Sequence, residues 1–199
     1  MAGQSKVGGI AAMVTVVGYV VSNGVLLWGT VTADGNDSND LAIVVVTWWV
    51  GVTLGTIAAA VAVYAALRRT GGFGSGLAKA AIVFAALAAL ASGMAWAFFI
   101  WGLLLSLAML LLALHLRKSG LGVAGTPSLW DWVIPVAFPL GVATTLGLYA
   151  TVVEEIEEDL EWGYTSGFAI GTLLTAVAMV QVGRWLRSPV EAVKVAETT

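Results

Sequence analysis

An all-α, polytopic membrane bundle of six transmembrane helices with cytoplasmic termini is the fold class that three observations predict. The chain of 199 residues is 59% hydrophobic and only 11% charged, against roughly 25% charged residues in soluble domains. Between Lys79 and Arg117 lie 37 residues without a formal charge. As one straight helix they would be roughly 55 Å long, nearly twice the ~30 Å hydrocarbon core of a bilayer, so this stretch is expected to fold back on itself. Third, the two signs of charge are segregated along the chain. Residues 1–199 have room for one membrane domain and none for a separate soluble domain of ordinary size.

Span one is expected from Val7 to Val31, too long an apolar run for a cleaved signal peptide. The acidic turn-former Asp34 to Asp40 follows, and span two runs from Leu41 to Leu67, stopping at Arg68-Arg69. A short glycine-rich loop, Thr70 to Gly76, leads into the neutral stretch. Its expected break is Ser92-Gly93, which makes span three Leu77 to Ser92 and span four Ala95 to Leu116, with Trp96 and Trp101 at interfacial depth. Beyond Arg117-Lys118, a Gly/Pro/Ser connection ends in Trp130-Asp131-Trp132. Span five is expected from Val133 to Val153, loosened near its start by Pro135 and Pro139. The acidic run Glu154 to Glu161 reads as a short surface helix ahead of span six, Gly163 to Leu186.

With six spans and a cytoplasmic N-terminus, all nine basic residues (Lys6, Arg68, Arg69, Lys79, Arg117, Lys118, Arg184, Arg187 and Lys194) fall on the cytoplasmic side. Nine of the twelve acids, in Asp34 to Asp40 and Glu154 to Glu161, fall outside. The positive-inside rule applies to loops of this length, and five spans would misplace Arg117, Lys118, Arg184, Arg187 and Lys194. There is also an internal echo. Gly51-Val-Thr-Leu-Gly55-Thr56 leads through Ala60-Val61-Ala62 to Arg68, and Gly167-Phe-Ala-Ile-Gly171-Thr172 leads through Ala176-Val177-Ala178 to Arg184 at the same spacing.

The residues that could carry chemistry are few. The expected spans contain no Asp, Glu, Lys or Arg apart from those at their ends, which disfavours proton or ion coupling through carboxylates. The chain has no cysteine and one histidine, His115, which removes thiol chemistry and bis-histidine haem ligation. His115 reads first as a helix-end residue and second as a pH sensor or ligand. Asn23, in Ser22-Asn23-Gly24 near the middle of span one, needs hydrogen-bond partners where no water is available, so Asn23 and Ser22 are candidates for a solute path or for interhelical bonds. Trp48 and Trp49 read as packing or lipid-facing indoles, or as an aromatic constriction. Gln181 in span six is costly without a partner. Gly51, Gly55, Gly167 and Gly171 form small-xxx-small pairs of the kind that let helices approach closely.

The outer acidic cluster reads as a solvated face before a weak cation site, and the Asp34 to Asp40 loop lacks the glycine and terminal acid of a calcium loop. Asn36-Asp37-Ser38 is an N-glycosylation pattern on the expected outer side. No catalytic set, metal site or phosphate loop is evident, so no enzyme, metal or cofactor is expected. Nucleic acid is not an expected partner. The bilayer and either further copies of the chain or other membrane subunits are the expected partners.

Asn23-Gly24-Val25-Leu26-Leu27-Trp28-Gly29-Thr30-Val31, followed by Trp48-Trp49-Val50-Gly51, resembles the first two spans of the proton-gated urea channel and amide transporter family. That resemblance implies six spans and a neutral-solute pathway. It is confined to residues 23–51: the family's aromatic-rich later spans have no counterpart here, and its termini face outward. Two functional expectations follow from the residues: a channel or facilitator for a small uncharged solute, and a non-catalytic accessory subunit of a larger membrane complex.

Overall fold

The computed structural model describes residues 2–32, 38–94, 98–118 and 157–187. Among these, every long element is an α-helix: α1 Ala2–Thr32, α2 Ser38–Arg69, α3 Gly76–Ser92, α4 Phe98–Lys118 and α5 Glu157–Arg187. A single 3-10 turn, Gly72–Gly74, joins α2 to α3. Two stretches, Lys6–Gly29 in α1 and Ile43–Arg69 in α2, are long and apolar enough to cross a membrane. Those of α3 and α4, Gly76–Ser92 and Ile100–Leu116, are apolar and shorter. Expected span five, with Trp130 to Trp132, Pro135 and Pro139, lies outside the described residues, as do Asn36, Asp37, Glu154 and Lys194.

The first two helices form an antiparallel pair sealed by glycines. A Cβ on Gly18 would meet the Gly51 carbonyl oxygen at 2.9 Å and Gly55 Cα at 3.1 Å, and one on Gly55 would meet the Tyr19 ring at 2.8 Å. On Gly51 it would overlap the Ser22 hydroxyl. At such distances the backbones themselves are in contact, the geometry that small residues permit. On its other side α1 packs antiparallel to α5, where a Cβ on Gly183 would lie 3.1 Å from Ala12 Cβ.

The long neutral stretch does fold back. Helix α3 ends at Ser92 with Gly93 as its cap, in an ordinary right-handed conformation (φ −82°, ψ −6°), and α4 returns antiparallel. Alanines 78, 81, 85 and 88 are buried along α3. Their 3-4 spacing matches that of Trp101, Leu105, Ala108 and Leu112, buried along α4. Small residues on one helix thus receive large ones from the other, the heptad logic of a left-handed helix pair.

Two expectations are corrected. Trp101 is not an exposed indole, as one at headgroup level would be: it is fully buried, because it lies one turn inside α4 and turns inward against Tyr19, ring centroids 6.3 Å apart. Glu157 to Glu161 does not belong to a separate surface helix but forms the first turns of α5, which runs unbroken to Arg187, since no proline follows to stop it. Asn23 lies about 14 Å from the C-terminal end of α1, Ala2–Thr32.

The packing brings the basic residues of the described helices to one end. Gly8 meets Ala65 and Leu186, and Gly9 meets Arg187; Arg69 reaches the Trp185 carbonyl; and His115 reaches Thr70 and Ser75. Lys6, Arg68, Arg69, Lys79, Arg117, Lys118, Arg184 and Arg187 therefore share what we call the basic end. The acids of the described helices, Asp40 and those from Glu157 to Glu161, begin α2 and α5 at the far end. Lys118 and Glu157 thus lie at opposite ends of the bundle.

Candidate functional site: a neutral polar ladder on α1

Thr15, Tyr19, Ser22 and Asn23 recur at i, i+4, i+7 and i+8, so they share one face of α1, and that face is turned into the bundle. Thr15 donates to the Ala11 carbonyl at 3.0 Å, and Ser22 donates to the Gly18 carbonyl at 2.6 Å. Both hydroxyls are thereby satisfied within their own helix.

The other two rungs reach across to neighbouring helices. Tyr19 Oη lies 2.9 Å from Thr56 Oγ1 of α2, and Thr56 donates its own proton to the Val52 carbonyl at 2.8 Å. Thr56 has one proton to give, so Tyr19 is the donor in the bond between them. Asn23 reaches the other way: its Nδ2 donates to the Tyr19 carbonyl at 2.7 Å and to Thr172 Oγ1 of α5 at 2.8 Å. A carbonyl accepts only, which fixes the orientation of the Asn23 amide. Its Oδ1 is buried and has no hydrogen-bond donor among the described residues. The ladder can accept one more hydrogen bond, from the N–H or O–H of a neutral group. None of its members carries a formal charge at neutral pH.

The other candidates are used differently. Half-buried Trp49 donates its indole N–H to the Ser92 carbonyl at 2.7 Å, and Thr53 donates to the same oxygen at 2.9 Å. Together they close the open end of α3. Trp48 is partly buried and packs against the apolar core. Gln181 is half-buried and makes no hydrogen bond to the described residues around it. Gly51 and Gly55 lie in the α1–α2 seam. Gly167 and Gly171 lie in α5, where the Gly171 carbonyl accepts from Thr175 at 2.8 Å.

A second polar cluster sits at the basic end. His115 is buried, its Nδ1 3.0 Å from Ser75 Oγ and its Nε2 3.2 Å from Thr70 Oγ1. Ser75 is also the N-cap of α3, accepting from the Ala78 amide at 3.1 Å. One imidazole therefore pins the loop between α2 and α3 to the end of α4. Nearby, the Arg69 guanidinium lies 4.8 Å from the centre of the Trp185 ring, a cation–π contact tying α2 to α5.

Sequence reasoning passed over Tyr19, although its spacing to Ser22 and Asn23 signals a shared face. It had no means of finding that Thr56 and Thr172, equivalent positions in the internal echo, both bond to α1. No family model matches the chain, and no similar curated protein or solved structure was found.

Proposed function

We propose that the chain is a multi-pass protein of the cell membrane, a six-span bundle with both termini cytoplasmic, that serves as a channel or facilitator for a small uncharged solute. The observation that supports it is the Asn23 amide. Its nitrogen is anchored by two acceptors while its buried oxygen is left open. An unmade hydrogen bond in an apolar setting costs about 1–3 kcal/mol, and a solute N–H or O–H arriving there removes that cost. The ladder around it carries no formal charge, so an ion entering there would meet no counter-charge. In this reading the chain is not an enzyme, uses no cofactor, and assembles with copies of itself.

The test is osmotic swelling of liposomes carrying the full chain, with urea and glycerol as probes. Asn23→Leu should lower flux at least fivefold, roughly the value of one net hydrogen bond, while the variant elutes from a sizing column like the unaltered protein. Unchanged flux would remove Asn23 from the path.

A second reading, a non-catalytic accessory subunit of a larger membrane complex, draws support from how many polar side chains are spent on holding helices together, among them Tyr19, Trp49, Thr53, Thr56 and His115. Gentle detergent extraction and mass measurement separate the two: a homo-oligomer favours the pathway, stoichiometric foreign subunits the accessory role.

A further inference from the structure

A groove of about 460 Å³ runs along the outer side of α1, away from the polar ladder. Its existence follows from the glycine seam: Gly18 and Gly51 form the floor where α1 and α2 cross, with no side chains to fill the space above them. Its walls are apolar and exposed, with Val14 at 45%, Val17 at 60% and Leu54 at 57% of full accessibility. Its end carries a charge. The stem of Arg187 lies across Gly9, whose absent Cβ would come within 2.9 Å of Arg187 Cγ, and Arg187 Nε donates to the Gly183 carbonyl at 3.2 Å. That bond holds the guanidinium at the groove's basic end. Its two Nη groups make no hydrogen bond or ion pair with the described residues.

We propose that this groove is a binding site for one anionic phospholipid, with an acyl chain along Val14, Val17 and Leu54 and the phosphate on Arg187. The occupant follows from charge complementarity. A guanidinium matches a phosphate with two parallel N–H donors, and among the described helices the ionisable side chains sharing that end with Arg187 are cations, His115 and Tyr64, with no carboxylate. Basic pockets between membrane helices on the cytoplasmic side hold anionic headgroups by this chemistry. An acyl chain, unlike a water-soluble anion, also covers the apolar walls. The site rests on the bundle lying in a bilayer, and not on what passes through it.

The absence of cysteine from the chain makes the test direct. Val17→Cys in the full chain is labelled with a small fluorophore and reconstituted into 1:1 phosphatidylcholine–phosphatidylglycerol vesicles. Bromine quenchers are placed on the acyl chains of one lipid or of the other, so the surface charge never changes. Brominated phosphatidylglycerol should reach half-quenching at about one-fifth the mole fraction required for brominated phosphatidylcholine, the preference expected from one cation at the headgroup. A label at Val83→Cys, exposed on α3, should show no preference. Arg187→Gln should abolish the preference at position 17, whereas Arg187→Lys and Arg184→Gln should retain most of it.

Equal quenching by the two lipids at position 17 would overturn the proposal without recourse to any arginine variant. So would a preference that survives Arg187→Gln, or no quenching by either lipid, the result expected if a second copy or residues 133–153 cover the groove. The solute reading fails separately, through unchanged flux in Asn23→Leu, and that failure leaves the lipid preference intact.

Discussion

Helices α2 and α5 meet α1 from two sides with the same Gly-x-x-x-Gly-Thr pattern, yet they leave it in different states. On the α2 side Thr56 takes the Tyr19 proton and passes its own to the Val52 carbonyl, so the chain of bonds ends on an acceptor. On the α5 side the equivalent Thr172 takes a proton from Asn23, and the Asn23 oxygen remains open. A phenol brings one donor and is content once that is used. A carboxamide brings donors and an acceptor pointing apart, and a single threonine answers only one of them. The same helix-crossing pattern therefore serves as glue with one partner and leaves spare binding capacity with the other.

The contrast breaks most sharply at the α2 seam. Gly51→Leu places a side chain where Ser22 and the Gly18 backbone already sit, and about 3 kcal/mol of stability should be lost, the upper range for overpacking. Denaturation in mixed micelles reads this; a loss under about 1 kcal/mol would mean that the seam can open. Tyr19→Phe removes a closed bond and should cost about 1 kcal/mol. In a double-mutant cycle with Thr56→Val the coupling should be about 0.6–1.7 kcal/mol, the range for polar pairs between membrane helices. Zero coupling would dissolve the comparison.

Gly24 is exposed and a Cβ there meets nothing within 4 Å. Gly24→Ala should accordingly gain about 0.5–1 kcal/mol from helix propensity alone, separating the glycines that seal a seam from one that does not. Asn23→Leu should change stability least, within about 0.5 kcal/mol, because it removes an unsatisfied acceptor along with its bonds to Thr172 and Tyr19. A loss as large as that of Gly51→Leu would show that the Asn23 oxygen has a structural partner after all.

Among the described residues, α1 to α4 and the fold-back at Ser92-Gly93 were legible because they depend on length, charge and turn-formers, all local properties. One exception, Trp101, followed from treating an indole near a helix end as interfacial when its facing was set by Tyr19, 82 positions away in the chain. The site was half legible. Asn23 stands out as an amide in an apolar run, but nothing in its neighbourhood says that Thr172 will hold its nitrogen and leave its oxygen. The echo around Thr56 and Thr172 was visible as a pattern; that both threonines converge on one helix is a property of packing. His115 was legible as a helix-end residue, and its bond to the α3 cap residue Ser75 was not.

The close of α3 carries a consequence for how the chain is built. Trp49 lies 11 residues into α2, so the α3–α4 turn is set back about 16 Å from the far end of that helix. Ser92 is fully buried, so its carbonyl depends on partners from the protein. The two groups that answer it, on Trp49 and Thr53, belong to a segment that leaves the ribosome first. The donors that answer the Ser92 oxygen are therefore synthesised before it, and the hairpin can close onto them without first burying an unanswered oxygen.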